Sequence, residues 1–438
     1  MQKFRQFRRY ILVLVGVALA IGIEGLLRRG IAVMLSGLML GTPSIGGELL
    51  AQAQIPSGLD VEQIFEASPT ETTDTDTVTP TTRPSDPVVK PPTSCQLTAS
   101  GDLVQGRSYG DPHFKTLDGK RYSFQAVGEF GLIDSQNNSF KVQARHAAVR
   151  ESLSLNSAVA MQICGDRVGL YAQDFPDGDR NHVVWVNGKP LEVGSTPVKL
   201  PTGGAIALKG NVYVINSPTG EKVTAAKSTV SQQSFFNIAV FVPSSQRNQV
   251  QGLLGNFNGD PKDDLQIRGK GVLPERSSYG DVRKALSFAG LNSGPVSLSG
   301  AERLYFKQMY KEFGNSWRVS AAESLFDYPA GRTTASFVNM AFPKDYLTLN
   351  MLGRQRINAA RKTCQQARVP ADTLEGCIFD VGFSGMSGFA RTTAQVNSYL
   401  RTAQELFPGL GIPTVDQAVD RVIDQVRPKV CLPFIGCR

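Results

Sequence analysis

Between Gly255 and Asp264 the chain reads GNFNGDPKDD, which sets Asn256, Asn258, Asp260, Asp263 and Asp264 among two glycines and a proline. Gly, Pro, Asn and Asp all favour turns, so this run is a loop and neither core strand nor core helix. Its potential ligands are all oxygens. Ca²⁺ takes six to eight oxygens at about 2.3–2.6 Å in a loop that needs a glycine to turn, and Gly259 is available for that turn. The set contains no His or Cys, which argues against zinc or copper. The competing reading is a solvated Asx-turn loop with no ion.

Catalytic chemistry has less to stand on. The three histidines, His113, His146 and His182, each lie on or beside an expected strand. None accompanies a Gly-x-Ser-x-Gly elbow or a cysteine nucleophile motif, so a Ser/His/Asp site has no anchor. Phosphate-loop and dinucleotide signatures are absent, and Gly203-Gly204 reads as a hairpin turn. The expectation is a protein that is not an enzyme.

The elements that must position the loop begin after a long preamble. The chain opens MQKFRQFRRY, then runs ILVLVGVALAIGI and, after Arg28 and Arg29, IAVMLSGLML, ending at Ala51-Gln52-Ala53. A basic, apolar, then small-x-small layout is that of a secretory signal, with cleavage expected near Ala53. The alternative keeps residues 10–27 as a membrane anchor, although Glu24 interrupts a run already short for spanning. Residues 54–94 are rich in Thr, Pro, Ser and Asp and cannot bury a core, so they read as a disordered linker. The formal net charge of +8 owes much to the leader, whose 53 residues hold six Lys/Arg and two Asp/Glu, leaving 40 against 36 in the rest. No dense basic run remains, so nucleic acid is excluded as a partner.

Export makes the cysteines intelligible. Cys95, Cys164, Cys364, Cys377, Cys431 and Cys437 all follow the leader, and six in an exported chain suggest three disulfides with 15 connectivities. Sequence proximity favours Cys364–Cys377 and Cys431–Cys437, leaving Cys95–Cys164. No pair has the spacing of a redox motif or zinc knuckle.

From Tyr122 short runs rich in Val, Ile, Phe and Tyr, such as EFGLIDS, AVAMQIC, NVYVINS and FFNIAVFV, are broken by turn residues about every ten positions. That spacing predicts an antiparallel sandwich or barrel over residues 100–243. Helices are expected at 244–254, 301–313, 354–368, 388–407 and 414–426. In the last, Val415, Val419, Val422 and Val426 make one apolar stripe. Cys364 then lies near a helix end and Cys377 in the loop beyond it. The fold class expected is multidomain: an antiparallel β-sandwich over 95–275, a mainly helical module over 300–410, and a C-terminal helix with its Cys431/Cys437 tail over 411–438.

Two motifs in order, YGDPHFKTLDGKRYSFQAVGEFGLIDS (Tyr109 to Ser135) and GLLGNFNGDPKDDL (Gly252 to Leu265), resemble the von Willebrand factor type D family of mucins, tectorins and other secreted proteins. The stretches FGNSWRVSAAESLFDYPAG (Phe313 to Gly331) and ARKTCQQARVPADTLEGCIFDVGFSG (Ala360 to Gly385) are similar to the segment that follows the domain in many relatives. The resemblance implies a β-sandwich with a Ca²⁺ ion near its edge. It places Asp118, Asn256, Asn258, Asp263 and Asp264 as side-chain ligands, with Asp260 acting through its backbone carbonyl. Three carboxylates would then face one divalent ion. This chain lacks two features usual in animal members: Gly252-Leu253-Leu254-Gly255 stands where they have C-x-x-C-G, and Arg107-Ser108-Tyr109 where they have a cysteine before G-D-P-H. Disulfide pinning of the loop and disulfide-driven multimer assembly are therefore not expected here.

In some relatives the Asp–Pro bond of Gly-Asp-Pro-His breaks in mild acid, which would cut here between Asp111 and Pro112, beside His113. The resemblance as a whole implies a secreted or cell-surface calcium-binding protein of adhesion, matrix or surface assembly. Its expected partner is an extracellular protein or glycan, or another copy of itself. Membrane contact would come only through an uncleaved leader. The alternatives are a self-cleaving processing module and an extracellular hydrolase with an unrecognised site.

Overall fold

The computed structural model describes residues 101–273 and 300–407, together with Cys95 and the short pairs 431–432 and 436–437. The leader, the linker at 54–94 and the expected helix at 414–426 lie outside the described residues. No helix among the described residues is long and apolar enough to cross a membrane.

The sandwich begins with β1 (Leu103–Tyr109), β2 (His113–Lys115) and β3 (Arg121–Ser123). The chain then makes β4 (Gly128–Ser135), β5 (Phe140–Arg150), β6 (Leu153–Ile163), β7 (Asp166–Tyr171), β8 (Val184–Val186) and β9 (Lys189–Leu191). It returns through β10 (Val198–Lys199), β11 (Ala205–Lys209), β12 (Val212–Asn216), β13 (Lys222–Val230), β14 (Gln233–Pro243) and β15 (Val250–Gln251). One sheet has the order β10-β11-β12-β13-β14-β1-β2-β3 and the other β15-β4-β5-β6-β7-β8-β9. Phe114, Ile206, Ile215, Val223, Phe236 and Val240 of the first pack with Phe130, Val142, Val159, Met161 and Val168 of the second into one core. This is face-to-face antiparallel packing, with alternate residues of each strand turned inward.

The outer faces are covered too. Among the described residues five α-helices follow: α1 (Gly300–Gln308), α2 (Arg354–Gln366), α3 (Leu374–Ser384), α4 (Gly388–Ala394) and α5 (Ser398–Leu406). Cys364, Ile378, Val381 and Phe389 pack on Leu155, Val230 and Phe235, while Val396, Tyr399 and Ala403 pack on Leu103, Val214 and Phe241. Between α1 and α2 a largely irregular stretch lays Leu325 and Phe326 on Ala158, Ala160, Tyr171 and Trp185. Every residue of β6 is therefore buried. Strands buried on both faces lose the simple alternation of apolar and polar residues.

The structure departs from the sequence expectations in several places. Residues 244–254 are not a helix. Ser244–Gln246 is a single 3₁₀ turn, and β15 then pairs with β4 while the Leu253 and Leu254 amides donate to the Gly131 and Leu132 carbonyls. The open edge of β4 satisfies this backbone better than a short isolated helix could. The expected helix 301–313 continues past α1 as π-helical turns, Met309–Gly314. The expected helix 388–407 is two, broken at Gln395–Asn397. Cys377 lies inside α3 and not in a loop, because LEGCIFDVGFS is apolar enough to fill the space between α2 and the sandwich. The Cys364–Cys377 and Cys95–Cys164 disulfides are formed. Cys431 and Cys437 are Cα partners in a small antiparallel pair.

Candidate metal centres

The GNFNGDPKDD loop leaves the sandwich after β15, held by Phe257, which is fully buried. It meets the turn between β2 and β3. There the Leu117 amide donates to the Leu254 carbonyl at 2.9 Å, and the Tyr122 hydroxyl to the Leu253 carbonyl at 2.5 Å. Asp118 of that turn and Asp264 of the loop are thereby brought into one buried place. The Thr116 hydroxyl donates to Asp264 Oδ2 at 2.6 Å, and Asp118 Oδ1 lies 3.6 Å from Arg247 Nη1. Their other oxygens, Asp118 Oδ2 and Asp264 Oδ1, are buried without a hydrogen-bond partner. Gly255, at φ +92°, makes room: a Cβ there would lie 2.2 Å from Asp264 Oδ1. Burial pushes the Asp264 carboxyl up to about 6; the charges of Asp118 and Asp263 add to this, and the Thr116 hydrogen bond opposes it.

The rest of the expected set sits around this pair. Asp263 accepts from the side-chain amides of Asn256 at 3.2 Å and Asn258 at 2.7 Å. Asn258 Oδ1 in turn accepts from the Asp260 amide at 2.7 Å. Asp260 is exposed and its carboxylate accepts from the Lys262 amide, so its side chain belongs to the turn. Orphaned buried carboxylate oxygens cost free energy unless something meets them. Oxygen donors around a glycine turn suit a hard divalent cation, although Asp118, Asp263 and Asp264 do not gather within 4.8 Å as a three-ligand group among the described residues.

The second centre was only half visible in the sequence. Gly-Asp-Pro-His joins β1 to β2, and both carboxylate and imidazole turn inward: Asp111 is 1% exposed and His113 5%. They meet Asp380 of α3, which is fully buried. His113 Nε2 lies 2.5 Å from Asp380 Oδ1 and 3.1 Å from Asp111 Oδ1, and its Nδ1 lies 2.7 Å from Ser123 Oγ. Gln125 Nε2 donates to Asp111 Oδ1 at 2.9 Å, while Asp111 Oδ2 and Asp380 Oδ2 are buried without a partner. The approach is close enough to require glycine, since a Cβ at Gly110 would lie 2.2 Å from Asp380 Oδ2.

Burial opposes a charge on His113, yet the carboxylates of Asp380 and Asp111 outweigh it and hold the imidazole well above its ordinary value. Burial raises the Asp380 carboxyl, with Asp111's charge adding and His113 opposing. Ser123, His113 and Asp380 follow one another as hydroxyl, imidazole and carboxylate do in a hydrolytic triad. Here, however, Nε2 serves two acids at once. The ligand atoms of Asp111, His113 and Asp380 all lie within 4.8 Å of one another, so this buried group could hold a metal ion. The sequence signal for Asp380 was a lone carboxylate in the middle of the apolar run GCIFDVGFSG.

The other two histidines take no part in either centre. His146 is buried among Phe114, Phe124 and Phe130. His182 is paired with Asp179 at 2.5 Å on the surface.

Residues 106–270, which contain both centres except for Asp380, match the von Willebrand factor type D domain. Human Sushi domain-containing protein 2 is 24% identical over 314 residues, covering 69% of this chain and 33% of that protein. Protein mesh of Bombyx mori is 23% identical over 321 residues, covering 68% of this chain and 18% of its own length. Human mucin-4 is 28% identical over 180 residues, covering 39% of this chain and 3% of mucin-4. The chain thus spans a third or less of these relatives, and the first two similarities extend well beyond the domain itself. A chain related to mucins, built as two antiparallel sheets with a helical segment behind them, carries in residues 106–270 a von Willebrand factor type D domain.

Proposed function

We propose that this is a non-enzymatic extracellular protein of adhesion, matrix or surface assembly whose β-sandwich is ordered by calcium. One observation carries the calcium: Asp118 Oδ2 and Asp264 Oδ1, brought together from the first turn and the last loop of the sandwich, are both buried and unpartnered. Asp118, Asp263 and Asp264, with Asn256 and Asn258, would hold the ion. The ion would neutralise carboxylates that otherwise repel, and so tie the two ends of the sandwich to each other. The disulfides support an oxidising location. Similarity to mucins supports the extracellular structural role.

The test is thermal melting of the full chain with excess calcium and with EDTA. Calcium at 100 times its dissociation constant adds about 2.7 kcal/mol, a few degrees for a chain of this size. An Asp263→Ala/Asp264→Ala variant should show no such shift. If wild type melts identically in both buffers, the loop is an ordinary turn and the reading falls.

A different contact favours a second reading. His113 Nε2, 3.1 Å from Asp111 Oδ1, sets a proton donor beside the Asp111–Pro112 bond. Attack of the Asp111 carboxylate on its own main-chain carbonyl would break that bond. The proline nitrogen would take the proton, and water would open the resulting anhydride. N-terminal sequencing after mild-acid incubation of the full chain decides the matter: a fragment beginning at Pro112 supports scission, and an intact chain removes it.

A further inference from the structure

We infer that Asp111, His113 and Asp380 form a second metal site, separate from the calcium loop and suited to a transition-metal dication of the zinc class. The ion would fasten helix α3 to the sandwich.

The first argument is charge. Two carboxylates are buried at 1% exposure or less, and the positive group against them is the His113 imidazole. No Lys or Arg forms an ion pair with either acid among the described residues; the nearby Arg107 pairs with Asp372 at 2.6 Å. A dication against two carboxylates and a neutral imidazole closes that balance. The second argument is satisfaction. Asp111 Oδ2 and Asp380 Oδ2 are each buried without a hydrogen-bond partner, and both carboxylates already converge on the imidazole. A bound cation would give those two oxygens the partner the protein does not.

Ligand chemistry then chooses the ion. One imidazole nitrogen with carboxylate oxygens suits zinc and its neighbours, whereas calcium prefers oxygen alone. Two ligands about 2.0–2.2 Å from a tetrahedral zinc stand about 3.3 Å apart. The His113–Asp111 contact is already 3.1 Å, so binding mainly requires the 2.5 Å contact to Asp380 to open. The outer shell is in place. With Nε2 on the metal, Nδ1–H would donate to Ser123 Oγ, 2.7 Å away, which is how a ligating histidine is usually oriented. Gln125 steadies Asp111 in the same manner. Three protein ligands leave the fourth position of a tetrahedral ion to a water or to the orphaned second oxygen of Asp111 or Asp380, and the burial of all three residues keeps that position away from large substrates.

The inference does not depend on the calcium reading, because no residue is shared. The full chain is stripped with chelator, dialysed against excess Ca²⁺ and then titrated with Zn²⁺, with bound metal counted by mass spectrometry. Co²⁺ serves as the absorbing probe of an N/O ligand set. One Zn²⁺ per chain should be retained. Asp380→Asn should weaken it by at least about 100-fold, and Ser123→Ala by about 10- to 100-fold. An Asp263→Ala/Asp264→Ala variant and a His182→Ala variant should bind as wild type does. Where Asp380→Asn fails to fold, Ser123→Ala carries the decision. Absence of retained zinc in wild type, or wild-type affinity in the Asp380→Asn and Ser123→Ala variants, overturns the proposal and leaves the group as two acids sharing a proton around a histidine.

Discussion

Single residues in this protein are held in environments that their sequence neighbours do not announce. His146 is the clearest. Its ring lies 4.9 Å from that of Phe130 and about 6 Å from those of Phe114 and Phe124. Its Nδ1–H donates to the Ala126 carbonyl at 3.2 Å, and Nε2 is buried without a partner. Burial pushes the imidazole down to about 3, helped by the charge of Arg318 and opposed by the Ala126 contact. An unfolded histidine titrates near 6.5, so the unfolded chain binds the extra proton. The stability from the neutral ring is therefore complete above pH 6.5 and is lost as pH falls toward 3, by roughly 2 kcal/mol at pH 5. Urea unfolding at pH 7 and pH 5 checks this in wild type and in His146→Asn, which keeps a donor near the Nδ1 position but cannot titrate. Wild type should lose about 2 kcal/mol more than the variant; parallel losses would place the acid sensitivity elsewhere. In the same way Asp380 escaped the sequence reading, although the oxygens of the GNFNGDPKDD loop did not. The loop's donors are contiguous, with turn chemistry that shows, whereas Asp380 meets His113 across 267 positions.

At the scale of elements, legibility followed the size and type of the residues an element buries. Strands β4, β5, β12 and β14 are rich in Val, Ile and Phe between turn residues and could be named from sequence. Strand β13, KVTAAKSTV, could not. It lies between β12 and β14 and also under α5, so small residues such as Ala225 and Ala226 fill its two faces. The α3 segment was missed for a related reason: with nearly every position apolar it shows no stripe to mark a helix. The disulfide between α2 and α3 was legible, because the 13-residue separation of Cys364 and Cys377 makes it the cheapest closure in that region. It has a measurable weight. A closed loop of this length is worth about 3 kcal/mol in the chain-entropy account. Cys364→Ser/Cys377→Ser should lower unfolding stability by about 2–4 kcal/mol, with α2 and α3 loosening first. Hydrogen exchange should show faster amide exchange in those two helices while β5 and β6 stay protected. Uniform loss across the sandwich would instead mean that the bond supports the whole chain.

For the molecule as a whole, the sequence reading divides a β-sandwich over 95–275 from a mainly helical module over 300–410, and the packing joins the two. Arg145, on β5, is fully buried and pairs with Glu129 at 2.8 Å, yet much of its cover comes from downstream chain. Its guanidinium lies 3.7 Å from the Phe337 ring centroid, 4.5 Å from Phe326 and 5.2 Å from Tyr328, and the Tyr328 hydroxyl donates to Glu129 at 2.7 Å. The opposite sheet is likewise covered by Val396, Tyr399 and Ala403, which shield Leu103, Val214 and Phe241. Removing residues 300–407 would bare apolar surface on both sheets and strip a buried ion pair of its aromatic wall. Large exposed apolar patches drive association. A 95–275 fragment should therefore aggregate or melt without a cooperative transition, whereas a chain through residue 407 should melt in a single step. Calorimetry and sedimentation of the two decide it. A soluble, monomeric fragment with a sharp transition would show that the helical segment merely rests on a finished sandwich. In that case neither the aromatic cover of Arg145 nor Asp380 would be needed to complete the fold.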